Sequence, residues 1–239
     1  MYPIDAMIGR AALALLALTA ISGPTPAFES QDRDRLWQTG ACSGCDLRGI
    51  DLSGNARPHS TLFSSNPRPL DLSGADLRQA VLHQAPLGRA MLRGANLAGA
   101  SLGEADLRRA DLRDADLTGA SLVQANLASA RLDEATLTDA DLRQASLDGA
   151  RLSGAVLARA DLEGANLARA SLSGADLTDA RLRRAFLSET DLHGADLRRA
   201  DLAGADLSAA QGLTQKQLDD ACGNAATRLP SWLTVRFCD

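Results

Sequence analysis

Residues 70–99 read LDLSG, ADLRQ, AVLHQ, APLGR, AMLRG, ANLAG: six pentads, each with leucine at its centre. The same frame runs without a gap to ADLSA at 205–209, giving 28 pentads in 140 residues. The central residue is leucine in all 28, from Leu72 to Leu207. The residue two before it is alanine in 26, the exceptions being Leu70 and Thr190. Aspartate precedes the leucine in 12, and the last two positions are mostly polar, charged or glycine. A repeat this regular outranks any local propensity and has to be read first.

The period excludes the two ordinary elements. An α-helix turns 100° per residue, so a five-residue step spreads successive leucines around its whole circumference. A flat strand alternates faces at every residue, so an odd period sends successive leucines to opposite sides. The abundant alanine and leucine favour helix by propensity, yet the pattern gives no amphipathic stripe. What satisfies the period is a chain that turns a corner every five residues, points leucine and alanine inward, closes a coil and stacks the next coil on it.

A(D/N)LXX in unbroken tandem resembles the pentapeptide-repeat family, strictly over residues 70–209 and loosely back to Cys45. The resemblance implies an all-β fold, a right-handed quadrilateral β-helix with four pentads per coil and short helical caps. The four-fold count comes from the resemblance, because the corner argument alone does not fix it. On that count 28 pentads make seven coils, which at about 4.8 Å per coil stand about 33 Å tall.

The composition follows from the same reading. Of 239 residues 45% are hydrophobic but only 3% aromatic, an odd core for a globular chain, where aromatics bury much of the area. A narrow coil interior has room for alanine at its corners and leucine on its axis. The 25 Lys+Arg against 30 Asp+Glu give a net charge of -5, which argues against a general nucleic-acid binder.

The two ends depart from the pattern. Residues 11–21, AALALLALTAI, form an apolar run after Arg10 and before SGPTPA, the layout of a secretory signal. Cleavage is expected after Ala27, so residues 1–27 are read as a signal peptide, with translation starting at Met1 or Met7. The competing reading, a membrane anchor, needs about 20 apolar residues and the run has 11. No cysteine follows the run closely, which argues against a lipid anchor. The mature chain is therefore expected in the periplasm or outside the cell, with no transmembrane segment. Residues 28–44 are assigned to an N-terminal cap, with SQDRDRLWQT at 30–39 as a short helix that turns Leu36 and Trp37 towards the first coil before Gly40. Residues 45–69 are irregular first repeats. Their second part, 55–69, carries three prolines and admits two readings, a degenerate coil or a looped-out insertion. The 20-residue step from Leu52 to Leu72, with Leu62 in phase, favours the coil. Phe63 and the prolines would make it a variable contact loop if it is exposed, or simply an eroded repeat.

Residues 210–239 are assigned to a C-terminal cap, because stacked strands leave unpaired edges at both ends. Thr214 and Gln217 have the spacing of a capping box, Leu213 and Leu218 that of a hydrophobic staple, and Gly223 is read as the helix stop. The tail offers Leu229, Trp232, Leu233, Val235 and Phe237 to cover the last coil. Tails like GLTQKQLDDACG, residues 212–223, resemble those that follow the repeats in other exported bacterial members.

Cys42, Cys45, Cys222 and Cys238 are an even set in a chain with an export signal, which suggests disulfides. Four cysteines allow three connectivities, and proximity favours Cys42–Cys45 with Cys222–Cys238. Cys42-Ser-Gly-Cys45 also has redox CxxC spacing, but no βαβ pattern surrounds it. A zinc ribbon would need a second pair spaced more closely than Cys222 and Cys238.

Residues 20 apart should share a face in neighbouring coils. By that rule Arg131 and Arg151 stack, Asp141 and Asp161 stack, and Arg113 lies above Asp133. Arg181, Arg183 and Arg184 form one basic spot, and Arg198 with Arg199 another. The repeat block holds 16 Arg against 21 Asp+Glu, a mixed-charge surface best read as solvated ion pairs. Of the histidines, His59 lies in the irregular segment, while His83 and His193 fall on different faces. No convergent metal, cofactor or nucleophile set emerges, and a leucine-filled axis leaves no pocket for a small-molecule substrate. The sequence thus points to an exported, non-enzymatic scaffold acting on an unidentified protein or envelope component. The alternative is DNA mimicry of the kind shown by the gyrase-protecting members of the family. Those are cytoplasmic, strongly acidic and dimerise through a C-terminal helix; this chain departs in its export signal, its 16 repeat arginines and its cysteine-bearing tail.

Overall fold

The computed structural model describes residues 30–53 and 69–238. The expected signal peptide and cleavage site, His59 and Phe63 all lie outside the described residues. Within them the repeat folds as a four-sided stack. Each pentad adds one short parallel bridge, and partners are 20 residues apart: Asp71 with Met91, Asp76 with Asn96, Val81 with Ser101, Pro86 with Asp106. These four bridges head four faces that continue up the stack, so four pentads close one coil.

Local chemistry explains the corner. The amide of each alanine donates to the carbonyl of the preceding leucine, as in Ala75 to Leu72 at 3.1 Å, closing a four-residue turn. The third residue of that turn takes positive φ, the geometry of a type II turn. The position therefore favours glycine, such as Gly74 at φ 65°, yet it also holds Gln79, Arg89, Glu189 and other non-glycine residues near 60°. Between corners, each rung exchanges two backbone hydrogen bonds with the next. Leu72 donates to Met91 O at 2.8 Å, and Met91 donates to Leu70 O at 2.8 Å. From Leu72 to Leu207 the central leucine of every pentad, and the alanine two residues before it, is buried in the coil interior. Thr190, at an alanine position, is also buried, and its hydroxyl donates to Leu167 O at 2.7 Å.

The ladder begins earlier than the sequence suggested, at Ala41, inside the stretch assigned to the cap. Its first rungs also correct the preferred reading of the irregular segment. Ala41 pairs with Asp71, Asp46 with Asp76 and Asp51 with Val81, each 30 residues on. Leu52 and Leu72 are therefore not stacked neighbours; Leu52 stacks under Leu82, and the path between those two is ten residues longer than one regular coil. The course of residues 54–68 lies outside the described residues; the register on either side is that of an insertion, not of a coil-length segment.

Helix α1, Ser30–Thr39, closes the lower end. Leu36 is buried under the first coil and Trp37 packs at its margin. Gly40, at φ 66°, ends the helix with its amide on Leu36 O at 2.9 Å. At the upper end Gln211, Cys222 and Arg228 continue three of the four faces by pairing with Asp191, Asp201 and Asp206. The fourth side is taken by helix α2, Gln215–Leu218. Strand β1, Cys222–Gly223, then carries a last parallel strand, β2, Arg236–Phe237.

Three details of this cap differ from expectation. The helix ends at Leu218, with Asp219 as its C-cap, so Gly223 is not the helix stop. Gly223 is a strand residue, where a Cβ would come within 2.7 Å of the Thr227 hydroxyl oxygen and 2.8 Å of a Val235 methyl. Leu233 is buried, with Leu229 and Val235 against the core, but Trp232 and Phe237 are 76% and 70% exposed and do not cover the coil.

Candidate functional site

With the axis filled, the chain's recognition chemistry lies on its four faces, its corners and its two ends. Two arrangements of charge dominate the faces. In the first, an aspartate just before the leucine accepts a bidentate pair of bonds from an arginine two residues on. Asp106 with Arg108 at 2.8 and 2.6 Å and Asp141 with Arg143 at 2.8 and 2.6 Å are examples. That arginine holds each carboxyl below the usual range, as at Asp76, Asp106, Asp111, Asp141 and Asp196. In the second, an arginine reaches an acid in the neighbouring coil: Arg159 to Asp139 at 2.7 Å and Arg199 to Asp179 at 2.6 Å.

The stacked pairs expected from the 20-residue rule are present. Arg131 bridges to Arg151 and Asp141 to Asp161 through their backbones. Arg113 spends its guanidinium on Asp111, while Asp133 is reached by Arg151 at 3.2 Å. The two basic spots dissolve into ion pairs. Arg181 meets Asp161, Arg183 meets Asp201, Arg184 meets Glu163, Arg198 meets Asp196 and Arg199 meets Asp179. His193 Nδ1 lies 2.6 Å from Asp191 Oδ1 and His83 Nε2 lies 3.8 Å from Glu104, on separate faces.

The four cysteines fall in two pairs with sulfurs at bonding distance. Cys42 and Cys45, Cα atoms 5.3 Å apart, are both buried. Cys42 holds the leucine phase of its rung and Cys45 the alanine phase of the next. Its amide donates to Cys42 O at 3.2 Å, so this pair spans the first corner from inside the coil. Cys222 and Cys238, Cα atoms 4.8 Å apart, tie β1 to the end of the chain. Asp32 lies beside the first pair and Asp201 beside the second. Sequence reasoning had the cysteines but not the inward phase of Cys42; its place five residues before Leu47 was the available signal.

Shallow clefts flank the ends and one corner. One of about 690 Å³ lies between the Asp196 rung and α2 and includes Lys216, Gln217 and Asp220. Among the described residues no helix is long and apolar enough to cross a membrane.

The family model for pentapeptide repeats matches residues 71–109, 110–149, 137–174, 145–184 and 175–210, with eight copies. Solved structures with a related repeat include a pentapeptide repeat protein from the Arabidopsis thaliana thylakoid lumen. It is 30% identical over 49% of this chain and 80% of that one, with a TM-score of 0.41. HetL, from the cyanobacterium Nostoc sp. strain PCC 7120 and involved in heterocyst differentiation regulation, is 32% identical over 81% of this chain and 96% of its own, with a TM-score of 0.35. Full-length QnrB1, a plasmid-mediated fluoroquinolone resistance protein, is 18% identical over 75% of this chain and 92% of its own, with a TM-score of 0.43. No curated protein matches the chain.

Proposed function

The chain belongs to the pentapeptide-repeat family, and from that premise we propose that it is an exported, non-enzymatic scaffold whose flat faces engage a protein partner or a component of the cell envelope. The observation that carries this reading is the solid axis: the central leucines and the corner alanines are buried along the whole repeat, so recognition falls to side chains on the outside. The right-handed sense of the coil comes with the family. Export is supported by the signal-like residues 1–27 and by the pairing of all four cysteines, Cys42 with Cys45 and Cys222 with Cys238. The ion-paired arginines break up any continuous acidic strip, which favours a protein-facing scaffold over a DNA mimic.

Fractionation of the native host followed by crosslinking and pull-down tests the proposal. The expected result is the mature chain outside the cytoplasm, crosslinked to a small and reproducible set of partners. A supercoiling assay with DNA gyrase should show neither inhibition nor protection; a clear effect would replace the scaffold reading with mimicry.

A further inference from the structure

Thirteen of the 16 arginines in residues 70–209 have a carboxylate within 4.0 Å. Arg89, Arg109 and Arg131 have none among the described residues. Two of these three sit on one corner. Arg89 and Arg109 both occupy the positive-φ position of their pentads, at 62° and 59°, on successive coils. The Arg89 amide donates to Arg108 O and the Arg109 amide to Ala128 O, so the two guanidiniums leave the backbone one rung, about 4.8 Å, apart. Residues 54–68 contain no aspartate or glutamate and cannot supply a missing acid. Two like-charged side chains rooted one rung apart, with no carboxylate within 4.0 Å of either among the described residues, repel each other, unlike the paired arginines elsewhere on the surface.

The corner also has a shape. Arg89 and Arg109 border a cleft of about 450 Å³, where Gly88 and Ala128 leave space for want of longer side chains. Ser129 occupies the same corner one coil further on, and its exposed hydroxyl makes no hydrogen bond among the described residues. The one carboxylate in the cleft, Asp106, is already held by Arg108 at 2.8 and 2.6 Å. The cleft thus offers two uncommitted guanidiniums and one hydroxyl around a common space.

We propose that this corner binds a single tetrahedral oxyanion of the phosphate-monoester class, clamped between Arg89 and Arg109 with Ser129 as a further donor. A dianion neutralises both charges at once. Its oxygens accept from two planar forks, a match that one carboxylate, with two oxygens in one plane, makes less fully. The site goes beyond the scaffold reading and does not depend on it.

The test is calorimetric titration of the full mature chain with inorganic phosphate at low ionic strength. One saturable site is expected, weakened roughly tenfold or more by Arg89→Gln or Arg109→Gln and unchanged by Arg159→Gln, whose arginine is paired with Asp139 on another corner. All three variants should keep the wild-type circular dichroism spectrum, since these side chains lie outside the core. Vesicles containing phosphatidic acid and soluble glycerol 3-phosphate, each titrated in competition, then distinguish a lipid headgroup from a small soluble ester. Either must depend on the same two arginines. Absence of saturation, or binding that survives the Arg89→Gln, Arg109→Gln double change undiminished, overturns the proposal.

Discussion

Gln217 donates its side-chain amide to the carbonyls of Leu192 at 2.8 Å and Ala195 at 2.9 Å. In the coils below, an alanine carbonyl is met by a backbone amide 21 residues on, as Asp196 N–H meets Ala175 O at 2.9 Å. At Ala195 that place falls to Lys216, which is in the cap helix, and the neighbouring glutamine supplies the missing donor. The same side chain accepts from Thr214 N–H at 2.9 Å, starting the helix. One residue therefore finishes the stack and begins its cap.

Gln217→Ala should lower stability by about 1–2 kcal/mol, because a buried-edge carbonyl and a helix-start amide both lose partners. Gln217→Glu keeps the acceptor for Thr214 but not the donor, and should fall between wild type and alanine in thermal unfolding. A glutamate variant as stable as wild type would remove the coil-finishing role.

The second cysteine pair makes a separate prediction. Cys222 and Cys238 are 16 residues apart, and closing such a loop contributes about 3 kcal/mol in the chain-entropy model. Replacing both with serine should lower the Tm and loosen β2 first, visible as faster exchange of the backbone amide at position 238, which donates to Gly223 O. Uniform loss of protection along the repeat would contradict a local cap.

Interior and surface positions should respond in opposite ways. Leu142 is fully buried on the axis, and Leu142→Arg should cost more than about 4 kcal/mol or prevent folding, since it buries an unpaired charge. Glu189 sits at φ 58°. Glu189→Gly removes the strain of a side chain in the left-handed region, offset in part by unfolded-state entropy, and should stabilise by up to about 1 kcal/mol. Chemical denaturation of the two variants checks both signs.

Acid should weaken the folded chain. The carboxyls of Asp76, Asp106, Asp111, Asp141 and Asp196 are lowered, first by the hydrogen bond from an arginine two residues on. A group lowered in the folded state contributes its stability above its unfolded pKa, about 3.9, and loses it as pH falls through the lower folded value. The Tm should be level near neutrality and decline below about pH 4. These pairs are partly exposed, so each contributes little and the decline is their sum. A Tm that holds steady to pH 2 would contradict it.

The solenoid was legible in the sequence because every rung repeats one steric problem, a leucine on the axis and an alanine at the corner. The register across residues 54–68 was not. Ten extra residues are two whole pentads, so Leu52, Leu62 and Leu72 keep their phase whether the intervening chain is a coil or an insertion. The 30-residue pairings of Ala41 with Asp71, Asp46 with Asp76 and Asp51 with Val81 separate the two. The ion pairs were half legible: the 20-residue rule finds rung neighbours, but Arg113 reaches Asp111 on its own strand before Asp133 on the next. Trp232 and Phe237 misled because an aromatic near an open end suggests burial, and their side chains point to solvent instead. Gly223 was read as a helix stop from composition, when the close approach of Thr227 and Val235 is what requires it.

The proposed export of a disulfide-capped chain is tested most directly by intact-mass analysis of the protein from its native host. The predicted result is a chain beginning at Phe28, recovered outside the cytoplasm, with no free thiol and with peptides linked Cys42 to Cys45 and Cys222 to Cys238. A cytoplasmic chain retaining residues 1–27, with four free thiols, would contradict it.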